Sequence, residues 1–430
     1  MTSNPNVHWA PLPRTELLVY WLLSFGSHLY SFYELHRFSK EHEAGLVRQF
    51  QLERGLFQGF KRDASDFEWT FWTEWARKSL LWTLIGHAVV SRLCSVFYPQ
   101  FQVAALTVYG LLAASSVLGL RGVAVLLLHV ALSFSVAQLR RPALCWTCNL
   151  LLLCTLHVPP LQDIQMQTPA EDGDRHKPGA RYLLLRSARI LMWWCIAEYM
   201  IHAMYMHAIQ SNETYLEILP TWALGGLALA LVQFFFVKYL VLFGLPSTLA
   251  TLDRLVPPGL PRCVSIMYSF TGMWRHFDKG LYRWLLRYVY VPLGGSHHGV
   301  LYKMLSTALA FGFVCLWHGG HDYLQCWALM NWLGVLVETG LKALFGSALL
   351  RSFLERHSSA ATRRRCAALL SAFSTAMLIL SNLIFLGGIH VGRIFWKRVF
   401  LQGWSTVAPP MLAFLYCFAQ VGLEWAPHPP

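Results

Sequence analysis

The amino-acid sequence predicts an all-α polytopic membrane helix bundle with about nine to eleven crossings and re-entrant segments. Three observations lead there. The 430 residues are 55% hydrophobic and only 13% charged, with a mean hydropathy of +0.41, which is too apolar for a chain solvated by water alone. Apolar runs recur at lengths near the roughly 20 helical residues that cross a hydrocarbon core of about 30 Å. The basic residues behind the net charge of +13 cluster at the ends of these runs, as Arg140/Arg141, Arg186/Arg189 and Arg363/Arg364/Arg365. Membrane anchoring accounts for that placement better than nucleic-acid binding does, and the clusters at Arg140 and Arg365 are expected on the cytoplasmic side.

The elements follow in order. Met1 to Pro13 is neutral and contains prolines, without the charged start and cleavage site of a signal peptide, so the first run, Leu17 to Tyr33, is expected to remain a helix. Residues 34–78 mix charge with aromatics, as in Phe71-Trp72-Thr73-Glu74-Trp75, the composition of an amphipathic region lying in the interface. Apolar runs follow at Leu80 to Phe97, Val103 to Leu120, Val123 to Ala137 and Leu144 to Val158. Residues 159–179 hold Pro159-Pro160, Glu171-Asp172-Gly173-Asp174 and Lys177-Pro178-Gly179, and read as an exposed, flexible loop.

Ile190 to Ile209 and Leu219 to Phe243 are apolar again, and then Pro246 to Ser296 turns irregular around Pro257-Pro258-Gly259 and Pro292-Leu293-Gly294-Gly295. Such backbone is tolerated at membrane depth only where protein or a water-filled cavity satisfies its polar groups, so a cavity is expected beside it. Leu301 to Trp317, Leu324 to Phe345, Ala367 to Gly388 and Val407 to Gly422 complete the bundle. No internal repeat is visible, which argues against a transporter. The ten cysteines lie mostly in apolar runs and behave as small hydrophobes; Cys145-Trp146-Thr147-Cys148 has redox spacing but reads as core packing.

Few polar residues carry chemistry. His318 ends an apolar run and precedes Gly319-Gly320, where a helix can stop in a left-handed turn and an imidazole can take up a proton near neutral pH. The bland reading is an ordinary interface histidine. Asp278 stands in the irregular stretch, about forty positions upstream, and its bland reading is a partner for Arg275, one turn earlier on the same helical face. Because ionisable groups at membrane depth are costly, both are functional candidates. Glu198 and His202 are one turn apart, with His207 beyond; structural pairing inside the bundle explains them better than a metal site, since no HExxH or carboxylate-rich set accompanies them. His297-His298 reads as solvated, and no nucleophile elbow, phosphate-cradling loop or dinucleotide fingerprint is present.

Trp317-His318-Gly319-Gly320, with a polar residue upstream in a loop-rich stretch, resembles the membrane-bound O-acyltransferase family. Ser269-Phe270-Thr271-Gly272-Met273-Trp274-Arg275, Arg287 to Gly295, Asn331-Trp332-Leu333-Gly334-Val335 and Leu378 to Phe385 narrow the likeness to the branch that acylates Hedgehog signals, as do Phe25 to Glu34 and Lys61 to Trp69. The resemblance covers nearly the whole chain. It implies transfer of palmitate from palmitoyl-CoA to the N-terminal cysteine amine of a Hedgehog-type secreted protein at the endoplasmic reticulum membrane or the Golgi. It also implies His318 as catalytic base with Asp278 as its partner, Trp274 and Arg275 lining the donor's way in, and Asn331 and Asn382 as donor or substrate contacts. A haem held by Cys263 is implied too, as is an internal tunnel joining a cytosolic donor to a lumenal acceptor. O-acylation of another secreted protein or a lipid, and a catalytically weakened or silent scaffold of the same fold, remain alternatives. One departure stands out: members of that branch carry two further apolar segments between the positions of Val158 and Tyr182, where this chain has its short polar loop.

Overall fold

The computed structural model describes residues 11–50, 52–138, 144, 148, 180–253, 255–295 and 299–425. Sixteen α-helices run through them. In order they are α1 (Arg14–Glu41), α2 (Glu43–Phe50), α3 (Phe67–Trp75), α4 (Leu81–Phe97), α5 (Gln102–Gln138), α6 (Ala180–Ala203), α7 (Met206–Gln210) and α8 (Glu213–Ile218). Then come α9 (Thr221–Leu252), α10 (Phe270–His276), α11 (Lys279–Leu285), α12 (Val300–Trp317), α13 (Asp322–Gly346), α14 (Ala348–His357), α15 (Ala360–Trp396) and α16 (Ala408–Glu424). Among the described residues the only sheet is an antiparallel ribbon, Glu53–Arg54 against Lys61–Arg62.

Among the described residues six helical stretches are long and apolar enough to cross a membrane: Phe67–Phe97, Pro99–Val117, Thr221–Leu252, Val300–Trp317, Asp322–Gly346 and Ala360–Leu401. The expected run from Leu17 lies inside α1, and that from Val407 inside α16. The run Ile190 to Ile209 is interrupted, because α6 stops at Ala203 and α7 starts at Met206. Both ends of the aromatic, charged region 34–78 are absorbed into longer helices: α1 continues to Glu41, and α3 passes through a π-turn (Ala76–Leu80) into α4. No proline or glycine interrupts Phe67 to Ile85, so nothing in the sequence stops that helix. The loop 159–179, Cys145 and His297-His298 lie outside the described residues.

The chain forms two compact units. The smaller comprises Phe67–Arg189 with Leu245–Pro257. Inside it Asp253 accepts hydrogen bonds from Ser91 Oγ (2.5 Å) and pairs with His87 (2.7 Å), while Arg186 donates to Thr248 (3.0 Å) and Ser247.

The larger unit, Met1–Asp66, Ile190–Gly244 and Pro258–Pro430, holds every candidate site residue. In it α15 packs along α16. Ala368, Ala372 and Ala376 recur every four residues and are buried against Leu415, Ala419 and Leu423. Small side chains let two helices approach where lipid provides no hydrophobic drive. Arg364 is buried on the same helix and donates to Gln420 (3.1 Å) and Glu424 (2.8 Å); Arg365 pairs with Glu16 at 2.7 Å. Two of the three arginines read as headgroup anchors therefore tie α15 to α16 and α1.

Glu198, His202 and His207 belong to a buried ionic cluster that locks the 53–66 segment onto α6 and α7. His202 accepts from the Leu56 N–H (2.9 Å), Arg62 lies 3.6 Å from Glu198, and Asp63 accepts from the His207 and Ala208 N–H groups (2.9 and 3.0 Å). Asp66 pairs with Lys238 at 3.0 Å. The ring nitrogens of His202 face backbone, in keeping with pairing rather than ligation.

Candidate active site

α12 ends at His318 because the next two residues hold backbone angles that only glycine adopts without strain, φ 112° at Gly319 and 69° at Gly320. The Gly320 N–H closes the helix on Cys315 O at 2.9 Å, and α13 begins two residues later. His318 is exposed, so its imidazole is accessible to a reacting group. Three rings surround it: Trp317 (centroids 4.7 Å), Phe385 (5.2 Å) and Trp327 (5.9 Å), the last two meeting it edge-on.

The aromatic wall continues to the other candidates. Trp327 lies 5.7 Å from Trp274, which also meets Phe311 at 4.8 Å. Phe385 meets Phe235, and Phe235 stacks on Phe277 at 5.3 Å, the residue before Asp278. The cluster thus runs from His318 to Phe277, the residue that precedes Asp278.

Asp278 is the N-cap of α11 and accepts from the Leu281 N–H at 2.9 Å. Burial raises its pKa above the ordinary carboxylate value, and the Leu281 and Gly280 N–H groups oppose the shift in part. It forms no ion pair with Arg275 among the described residues; Arg275 is exposed. The pairing weighed from their spacing is therefore not made, because α10 ends at His276 and the capped turn begins afresh at Asp278.

Trp274 and Asn331 are brought together. The Trp274 indole N–H donates to Asn331 Oδ1 (2.9 Å), and Asn331 Nδ2 donates to Trp327 O (2.8 Å) and Ser381 Oγ (3.0 Å). Asn331 is 2% exposed, and its amide joins α10, α13 and α15. Asn382 lines a cavity of about 50 Å³ together with His28, Gln233, Ser265, Met273 and Thr375. That is room for a few waters at about 10–15 Å³ each, and it lies beside the irregular stretch where a cavity was expected. Cys263, an exposed free thiol, precedes the short turn Val264–Ile266.

Sequence reading missed the ring system of Phe235, Phe277, Trp327 and Phe385, since aromatics inside apolar runs carry no signal distinguishing a site wall from a core. It also passed over Glu338, although an acid in the middle of a spanning helix was signal enough.

Fold and site together define an integral membrane protein built around a histidine at the end of a spanning helix. The pattern of the membrane-bound O-acyltransferase family matches residues 158–381, and the chain belongs to that family. It is 43% identical to the protein-cysteine N-palmitoyltransferase HHAT of Mus musculus over 492 aligned positions, covering 96% of this chain and 99% of the relative. It is 26% identical to the HHAT-like protein of the same organism over 96% of this chain and 95% of that one. The protein-cysteine N-palmitoyltransferase Rasp of Drosophila melanogaster is 30% identical over 55% of this chain and 47% of its own length. The first alignment has 62 more positions than the 430 residues of the chain, so the relative contains residues with no counterpart here.

Proposed function

We propose that the chain transfers palmitate from palmitoyl-CoA to the α-amine of the N-terminal cysteine of a Hedgehog-type secreted protein, in the endoplasmic reticulum membrane. The observation that carries this is the exposed His318 imidazole, held at a helix end inside an aromatic wall that also reaches the Asp278 turn. The likeness to two protein-cysteine N-palmitoyltransferases supports the acceptor.

The chemistry suits these groups. An α-amine has a pKa of about 7.7–8.0 and is mostly protonated at neutral pH, hence a poor nucleophile. The ammonium first releases one proton to solvent; His318 accepts a second from the nitrogen as the amine attacks the thioester carbonyl, the C–N bond forms, the C–S bond breaks, and that second proton passes to the departing coenzyme A sulfur. A positioned base of this kind contributes about 10²–10⁴ in rate. Asp278 holds the ammonium before deprotonation or orients the imidazole, and no covalent enzyme intermediate is needed. The narrow cavity beside Asn382 must widen to admit the acyl chain.

A haem at Cys263 would be held by that residue's thiolate: the thiol is free and exposed, and Arg262 precedes it in the chain. When bound, the iron would supply a bond to this segment; no step of the transfer passes through it. A Soret band in purified protein, lost in Cys263→Ala, is the expected result.

The test of the activity is to incubate purified protein in detergent with labelled palmitoyl-CoA and a peptide beginning with cysteine, beside the same peptide N-acetylated. Label is expected only on the free amine. Equal labelling of the acetylated peptide, which leaves only the thiol or a hydroxyl as acceptor, overturns the reading, and labelling of serine alone overturns it in favour of O-acylation.

A further inference from the structure

Glu338 stands in the middle of α13, a spanning helix, and is 9% exposed. Carboxylates at that depth are costly and demand a reason. Among the described residues it has no cationic partner. Its oxygens are met instead by four uncharged donors: Oε1 accepts from the Phe270 N–H and the Ser374 hydroxyl, each at 2.7 Å. Oε2 accepts from the Thr271 N–H at 3.0 Å and the Thr271 hydroxyl at 2.7 Å. These four use every acceptor position a carboxylate has.

Three of the four donors belong to the first two residues of α10, the seven-residue helix that carries Trp274 and Arg275. α13 is shaped to receive that helix along one face. Asn331 takes the Trp274 indole; at Gly334 a Cβ would fall 2.5–2.6 Å from three Phe270 ring atoms; Glu338 takes the backbone where α10 begins. Positions 331, 334 and 338 recur at helical spacing, so one stripe of α13 fixes the start and the middle of α10. The far end is separately held, by Arg262 N–H on His276 O (3.0 Å) and by the Asp278 cap.

We infer that Glu338 is a positioning residue for acyl-donor binding: its carboxylate sets the height and rotation of α10, and through it the pose of Trp274 and Arg275, while leaving the Asp278 turn in place. The inference rests on the proposed acyltransferase reading, in which those two residues line the way in for the donor. Glu338→Gln is the sharp probe because each carboxylate oxygen faces one backbone N–H and one hydroxyl. A hydroxyl can rotate to accept from the new NH₂, but a backbone N–H cannot, so whichever way the amide turns, one α10 N–H confronts a donor.

The experiment measures steady-state acylation of a cysteine-initiated peptide by the full chain, with KM taken separately for palmitoyl-CoA and for peptide. Binding of a non-hydrolysable palmitoyl-CoA analogue is followed in parallel. Glu338→Gln is expected to raise the donor KM and the analogue Kd about five- to tenfold, the effect of one unsatisfied buried donor, with the peptide KM unchanged. Thr271→Val removes a single hydroxyl bond at near-constant shape and is expected to shift the donor constants the same way by about two- to threefold, which keeps the test decisive if the first variant does not fold. Donor constants unchanged in both variants, or donor and peptide KM rising together, overturn the inference. A wild-type chain that transfers nothing, yet whose analogue affinity falls in Glu338→Gln, defeats the proposed activity and leaves the inference standing.

Discussion

Asn331→Leu probes the hub beneath the active site, and its cost can be worked from the bonds it breaks. Leucine branches at Cγ as asparagine does but is larger, so no cavity forms and some overpacking adds to the polar cost. The Trp274 indole N–H loses its acceptor in a half-buried position, which costs about 1–3 kcal/mol. Ser381 loses a partner but can turn its hydroxyl toward its own helix, and Trp327 O keeps its place in the α13 ladder, so these add little. The total is about 2 kcal/mol. At about 2–4 °C per kcal/mol for a unit of a few hundred residues, the midpoint of thermal loss of monodisperse protein should fall by about 5 °C. Trp274→Phe strands the other half of the bond, so the two changes must be non-additive. The double variant should be about 1 kcal/mol more stable than the sum of the singles predicts. Additive shifts, or an Asn331→Leu variant with normal stability and only a raised donor KM, would refute the hub and return Asn331 to direct donor contact.

Other outcomes follow from the same geometry. His318→Ala should retain normal expression and midpoint, because the side chain is exposed and α12 is closed by backbone bonds, while acylation falls about 10²–10⁴-fold; undiminished labelling removes His318 from the chemistry. Asp278→Ala should cost about 1 kcal/mol through the lost cap of α11, whereas Asp278→Asn keeps the cap and reports on charge alone in the acylation rate. Burial raises the Asp278 pKa, so its neutral form is favoured on folding: the stability it contributes is present at low pH and lost as pH rises through the folded value. Activity that needs the carboxylate runs oppositely: protonation of the base and of the amine already lowers the rate on the acid side, and Asp278 should add a further steepening of that limb, at a pH above 3.8, that Asp278→Asn lacks. Compared in microsomes at matched expression with a relative that contains the additional aligned residues, this chain should acylate far more slowly with the same protease accessibility of its loops. Equal rates would make those residues dispensable.

Much of the fold was legible because hydropathy and length are local quantities. Leu301 to Trp317 became α12, the stop at His318 followed from two consecutive glycines, and the burst of irregular backbone before it foretold a cavity. The types of His318, Asp278, Trp274 and Asn331 could be singled out for the same reason: a polar or glycine-flanked residue in an apolar run announces itself. Tertiary structure alone decided what each one touches. Asp278 caps its own helix rather than meeting Arg275, two arginines at the head of α15 bind Gln420, Glu424 and Glu16, and Asn331 serves α10 from within α13. Partners such as Glu338 and Thr271, 67 positions apart, are joined by helix packing, and packing depends on which faces of several helices fit at once. A hydrophobic run fixes that a segment enters the membrane; only the neighbours it finds there determine which way each of its polar atoms is satisfied.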